Sequence, residues 1–66
     1  DISIDDKIMI NDGINTLDNI EQEIIKNRYF LDLTQSETAK LLGITQVMVS
    51  RYEQKSLKKL RQYMYM

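Results

Sequence analysis

Between Thr34 and Gln54 the sequence leaves room for little except two helices meeting at a tight corner. Ala39 falls on the inner face of the first helix, and Gly43 falls where that helix must stop. Leu42, Ile44, Val49 and Tyr52 fall where such a corner needs apolar cover. Two helices crossing at roughly 90–120° approach closely only where the residue at the crossing has almost no side chain, and Ala39 meets that need. Gly43 sits one step past the helix, where the chain turns through positive φ at little cost for glycine and at a larger one for any residue with a Cβ. The starts are marked as well. Thr34 can accept from the free N–H groups of the first helix while Glu37, three residues on, reaches back in a capping box. Thr45 can cap the second helix. The pattern predicts a helix-turn-helix over residues 34–54, a motif whose second helix enters the major groove of DNA.

With Val49 and Tyr52 turned inward, the outward face near the start of the second helix consists of Gln46, Val47, Ser50, Arg51 and Gln54, with Lys55 one step beyond. These side chains suit base edges: Arg takes the two acceptors of guanine, Gln pairs with adenine, and Val touches a thymine methyl. Thr45, at the positive end of the helix dipole, is placed to meet a phosphate. Thr34, at the start of the first motif helix, is counted with these candidate DNA contacts. The purely structural alternative is that any small helical domain has glycine ends and polar outer faces. The joint fit of Ala39, Gly43, the apolar positions and both caps favours DNA binding.

Composition narrows the field further. The chain has 66 residues, one domain's worth and near the lower limit for folding without staples. It has no Cys and no His, so a disulfide framework, a thiolate metal site and the commonest catalytic base are all missing. No catalytic residue, cofactor or metal is expected, and the chain is not read as an enzyme. No apolar run approaches the roughly 18–20 residues needed to cross a bilayer, and no signal-peptide pattern occurs, so no membrane partner is expected and the setting is cytoplasmic. The first residue is Asp1 rather than Met, which suggests a piece of a longer protein or a processed product. The net charge of −1 looks unsuited to a DNA binder until it is divided. Residues 1–33 hold eight acids and three bases, a net −5, whereas residues 34–66 hold two acids and six bases, a net +4. The basic charge accompanies the second motif helix, and the acidic first half implies weak nonspecific affinity for phosphate.

Taken in order, Ile2 to Asn15 reads as a first helix with Ile10, Ile14 and Leu17 on one apolar stripe. Gly13 inside that stripe either permits close packing against another helix, the favoured reading, or belongs to an Asp12-Gly13 turn, because a mid-helix glycine otherwise costs about 1 kcal/mol relative to alanine. Asp1, Asp5 and Asp6 suit the dipole of that helix and are otherwise solvated. Asp18 and Glu21 repeat the cap-and-box spacing and open a second helix through about Leu31, with Ile20, Ile24, Ile25 and Phe30 on its buried face. For Glu21 and Arg28 the structural reading is an ion pair at the edge of the core. The functional reading of Arg28 is a phosphate contact, and both stay open. Asp32-Leu33 links to the motif. The last helix is expected to run from about Gln46 to beyond Tyr63, with Leu57, Leu60 and Met64 inward and Lys55, Lys58, Lys59 and Arg61 on the other side. Tyr63 to Met66 is either a fraying end or an apolar segment that meets something in a parent protein. The expected fold is all-α: a small four-helix domain with a C-terminal helix-turn-helix and a long recognition helix.

The string Leu17-x-x-x-Glu21-x-x-Ile24-Ile25-x-x-Arg28-Tyr29, then Thr34-Gln35-Ser36-Glu37-x-Ala39-x-Leu41-Leu42-Gly43-Ile44-x-Gln46-Val47-x-Val49-Ser50-Arg51-x-Glu53 and Leu57-x-x-Leu60-Arg61, resembles region 4 of bacterial sigma-70 family sigma factors, in particular their sporulation class. The resemblance covers nearly the whole chain. It implies recognition of double-stranded promoter DNA at the −35 element, with Gln46, Val47, Ser50, Arg51 and Lys55 on base- and backbone-contacting positions and Arg28 on a phosphate-contacting one. It also implies docking on the RNA polymerase core at the β flap through an apolar surface of the first three helices, action as a monomer, and capture by an anti-sigma factor. Two departures stand out. Family members often carry a base on either side of Glu21, where this chain has Ile20 and Gln22, so phosphate contacts from that helix are expected to be fewer. Met48 stands where the sporulation class usually has Gln, so either DNA specificity or a neighbouring contact is expected to differ. The alternative reading of the same motif is a stand-alone repressor or phage regulator, which would dimerise to read two half-sites.

Overall fold

Ile10, Ile14 and Leu17, spaced by four and by three, make the first contact of the fold with the last helix. The computed structural model describes residues 10–64, and only the backbone at residue 64; Asp1, Asp5, Asp6, Tyr65 and Met66 lie outside the described residues. Helix α1, residues 10–13, passes directly into a 3-10 turn, Ile14–Thr16. The expected α-helix through Asn15 is corrected accordingly. Leu17 N–H donates to Ile14 O at 3.1 Å and Thr16 Oγ1 donates to Gly13 O at 2.7 Å, which tightens the chain before it reverses. Ile10, Ile14 and Leu17 are all buried and join Ile25 and Leu60 in one cluster, against which Tyr29 and Leu57 pack. Gly13 is in the right-handed region, φ −91°, so it is no left-handed turn. A Cβ there would lie 2.8 Å from Leu60 Cδ2 and 3.1 Å from Tyr63 Cδ2. The glycine serves close packing, as its place in the stripe suggests.

Helix α2, Asn19–Ile25, starts with Asp18 N–H donating to Glu21 Oε1 at 3.0 Å, the Glu21 half of a capping box. It does not continue as α-helix to Leu31. From Lys26 to Phe30 it widens into a π-helical turn, in which Leu31 N–H reaches Lys26 O at 3.1 Å. Ile24 and Ile25 are fully buried, each worth about 1.5–3 kcal/mol of hydrophobic stabilisation. Phe30, expected in the buried face, is instead 40% exposed. The chain leaves the helix at this point, and Phe30 stands beside exposed Leu31 at an open groove with Asn11, Ile14 and Lys26. Asp32 then takes a left-handed φ of +56°, a conformation Asp tolerates better than most residues. Leu33 N–H donates to Asn27 O at 2.9 Å, and Arg28 Nη1 donates to Leu33 O at 2.7 Å, so the short link is tied back to the helix it leaves.

The corner predicted from Ala39 and Gly43 is present. Helix α3, Gln35–Leu42, begins with both halves of the Thr34–Glu37 box: Glu37 N–H donates to Thr34 Oγ1 at 3.0 Å and Thr34 N–H to Glu37 Oε1 at 2.9 Å. It ends at Gly43 with φ +69°. Helix α4, Gln46–Met64, follows as one piece. Ala39, Val49 and Ile24 form a second buried cluster, with Ile20, Leu42, Ile44 and Tyr52 packed against it. Tyr63 is part of α4 rather than a frayed end. Thus α4 carries both cores, Val49 at its front and Leu60 at its rear, and packs mainly on α2 and α3.

Glu21 and Arg28 do not pair with each other; each reaches α4. Lys59 Nζ donates to Glu21 Oε1 at 2.8 Å, and the Glu21 side chain is only 1% exposed. Burial pushes the Glu21 carboxyl up, but Lys59 and the Asp18 backbone N–H outweigh it and hold the group below the ordinary carboxylate value of 4.5. A carboxyl depressed in the folded state stabilises above its unfolded pKa, and that contribution is lost as pH falls through the folded value. Urea unfolding followed by circular dichroism should therefore show little change in stability between about pH 5 and pH 9 and a decline below that window. Lys59→Met should lower neutral-pH stability and flatten the decline on acidification, because the Glu21 carboxyl is then no longer held down; an unchanged acid limb would rule out this pairing as its source. Nothing lies within 4 Å of a Cβ built on Gly43, so Gly43→Ala should cost only the left-handed strain, about 1–2 kcal/mol, read as a drop in the same unfolding free energy.

Candidate nucleic-acid interface

The residues expected to read DNA depend on how α4 starts and how it is turned. Met48 N–H donates to Thr45 Oγ1 at 3.1 Å, which confirms Thr45 as the cap. The first turn holds no acidic residue, so the positive end of the helix dipole faces outward without a compensating carboxylate of its own. Val49 is fully buried against Ile24 and Ala39, and this fixes the rotation of the helix. Gln46, Val47, Arg51, Gln54 and Lys55 all stand exposed, Val47 at 60%, while Ser50 is half-buried on the shoulder of the same face. Helical phase puts Val47, Ser50, Arg51, Gln54 and Lys55 on one outward surface, and Gln46 stands exposed at the first position of the helix beside exposed Thr45. Arg51 and Lys55 form no ion pair among the described residues. Met48, 39% exposed, lines an open groove with Arg51, Tyr52 and Lys55.

The other two candidates are engaged in the fold. Thr34 is exposed, but its hydroxyl oxygen accepts from Glu37 N–H as the cap of α3, and the return bond from Thr34 N–H holds the Glu37 carboxyl below its ordinary range. Arg28 donates from Nε to Glu53 Oε1 at 2.7 Å and from Nη1 to Leu33 O at 2.7 Å. Its side chain is 26% exposed. Two of its donor nitrogens therefore hold the fold together, and the structural reading of Arg28 is present in the geometry.

Glu53 is the residue that sequence reasoning passed over. It lies on α4 with its residue 8% exposed, and its carboxylate collects Arg28, the Tyr29 hydroxyl at 2.9 Å and, at the outer limit of a hydrogen bond, Gln35 Nε2 at 3.5 Å. Burial, with the Glu53 carboxylate beside it, pushes the Tyr29 hydroxyl up to about 12, so it stays a neutral donor at physiological pH. A signal was available: Glu53 is four residues after Val49 and seven before Leu60, in phase with the buried stripe. A carboxylate in that phase must find cations or donors on the helices it faces.

The family model described as sigma-70, region 4, matches residues 13–62. The chain is 49% identical over 59 residues to the RNA polymerase sigma-F factor of Priestia megaterium, covering 89% of this chain and 23% of that protein. To the RNA polymerase sigma-F factor of Bacillus subtilis it is 48% identical over 56 residues, 85% of this chain and 22% of that protein. To the sigma-B factor of the same organism it is 36% identical over 59 residues, 89% and 22% of the two chains. The chain therefore spans somewhat less than a quarter of the length of the relatives it matches. No solved structure matches it.

Removing the Glu53 carboxylate should loosen the whole interface. Glu53→Ala leaves Arg28 charged and mostly covered, and losing one partner of a buried pair costs about 3–5 kcal/mol; with a quarter of Arg28 exposed, the lower end is expected. Chemical denaturation measures this directly, and a loss under about 1 kcal/mol would mean that the cluster is no more than a surface pair.

Proposed function

This chain belongs to the sigma-70 region 4 family, and from that premise we propose that it is the promoter-reading domain of an alternative sigma factor of the sporulation type. In this reading the start of α4 enters the major groove at the −35 element of double-stranded promoter DNA. The observation that carries it is the joint exposure of Val47, Arg51, Gln54 and Lys55 on one face of a helix whose opposite face is fixed by Val49 and Glu53, with Gln46 exposed at its first position. Arg51 supplies a bidentate donor for guanine, Gln46 and Gln54 suit adenine, and Val47 presents methyl groups to thymine. Ser50 serves from the shoulder. Thr45 and Thr34 meet phosphates at two helix N-termini, and Lys55 meets the backbone one turn beyond Arg51. Arg28 adds a phosphate contact only through the donor capacity that Glu53 and Leu33 leave free.

The same reading places the domain on the RNA polymerase core. The exposed pair Phe30 and Leu31, with the open groove formed by Ile14, Asn11 and Lys26, supports docking of the first helices on the β flap. The domain acts as a monomer tethered to polymerase, within the cytoplasm, with an anti-sigma factor as a competing partner. The tether supplies local concentration, which suits a domain whose acidic first half limits nonspecific phosphate binding. The full span of residues 1–66 is one such domain within a longer chain, and no catalysis is assigned to it.

Fluorescence anisotropy against −35 duplexes tests the reading. Arg51→Ala should weaken binding to the preferred duplex by about 1–3 kcal/mol, roughly fivefold to 150-fold in Kd, and relax the preference at one base pair. Lys55→Ala should weaken all duplexes alike and reduce the salt dependence. Equal affinity of Arg51→Ala for every duplex would remove Arg51 from the reading face.

A further inference from the structure

We infer that Met48 is a specificity-determining residue of this interface, reading the C5 methyl of a thymine beside the base pair that Arg51 contacts. This rests on the DNA-reading role of α4 proposed above. Met48 is the third residue of α4, in the first turn, and its own N–H is the one held by Thr45 Oγ1. Its backbone is therefore fixed at the end of the helix that enters the groove. At this position the side chain is 39% exposed, although Val49 beside it is fully buried. An exposed methionine here is not left over from the core.

The surroundings give the exposed thioether a direction. Met48, Arg51, Tyr52 and Lys55 line one open groove on α4, at spacings of three, four and seven residues, which share one side of a helix. Tyr52 is half-buried against the Ile24, Ala39 and Val49 cluster, so one wall of the groove is anchored in the core. Met48 and Tyr52 thus make an apolar floor, and Arg51 and Lys55 make a cationic rim. An apolar group presented next to hydrogen-bond acceptors and close to a phosphate matches that combination. In the major groove only thymine offers such a methyl among the four bases. Met48 lies on the opposite shoulder from Ser50, with Val47 and Arg51 between them by helical phase, so the methyl it reads differs from the one offered to Val47. An unbranched, polarizable side chain can follow that methyl where a branched one could not.

Replacing thymine by uracil removes the methyl and leaves base pairing and the O4 acceptor in place. Duplexes enriched from a randomised pool by this chain, then substituted with uracil at one thymine at a time, provide the test. Besides the position offered to Val47, one further position should weaken binding of the unsubstituted protein about threefold to fivefold, the worth of one buried methyl group. Met48→Ala should bind the thymine duplex more weakly by a similar factor and lose the uracil penalty at that position alone. Met48→Gln, which keeps the length and removes the apolar end, should lose it too. Uracil penalties that persist at every position in both variants, or that are absent from the unsubstituted protein, overturn the assignment while the enriched sequences leave the role of α4 standing. A pool in which nothing is enriched overturns that role, and this one with it.

Discussion

The carboxylate of Glu53, buried in the middle of a surface-reading helix, is the interaction on which the rest of the arrangement depends. An ionised carboxylate removed from water costs several kcal/mol unless cations and donors converge on it. Here Arg28 and Tyr29, from the π-helical extension of α2, and Gln35, from the first residue of α3, all approach it. One group thereby ties three elements together at a single point. Because Glu53 must face them, helical phase sends Val47, Arg51 and Gln54 outward. The exposed face proposed to read DNA is set from behind, by electrostatics on the buried side of the helix.

Helix α4 does two jobs along its length. Its front half is the second helix of the corner, held by Val49 and Tyr52. Its rear half closes the other core through Leu60 and pins α2 through Lys59 and Glu21. The close approach that Gly13 permits to Leu60 and Tyr63 lets the first described helix lie against this rear half. The acidic residues concentrate in the first half of the chain and the basic ones along α4, so the positive charge accompanies the exposed face of α4. The departures at Ile20 and Gln22 leave few cations on α2 to add to it.

The corner was legible in the sequence almost residue by residue, because its constraints are local. Ala39, Gly43 and the Thr34–Glu37 and Thr45 caps each answer to backbone geometry within one or two turns, and each is found as the spacing predicts. The apolar stripes of α1 and α4 and the packing role of Gly13 were legible for the same reason. What escaped depended on partners distant along the chain. The π-helical turn at Lys26–Phe30 accommodates Arg28 and Tyr29 to a carboxylate more than twenty residues away, and no local periodicity announces it. Phe30 looked buried by composition but lies where the chain departs from its helix. Glu21 and Arg28 are both ionic at the edge of the core, but each pairs with α4 rather than with the other. The exposed face of Val47, Arg51, Gln54 and Lys55 was legible because it is the complement of the buried stripe.

Amide chemical shifts of the isotopically labelled chain, followed as a duplex enriched from a randomised pool is added, test the account most directly. Saturable shifts concentrated at residues 45–55, with Leu57, Leu60 and Tyr63 little affected, are the result that α4 as a reading helix predicts. Shifts concentrated around Phe30 and Leu31 with residues 45–55 unmoved, or no saturable shifts at all, would contradict it.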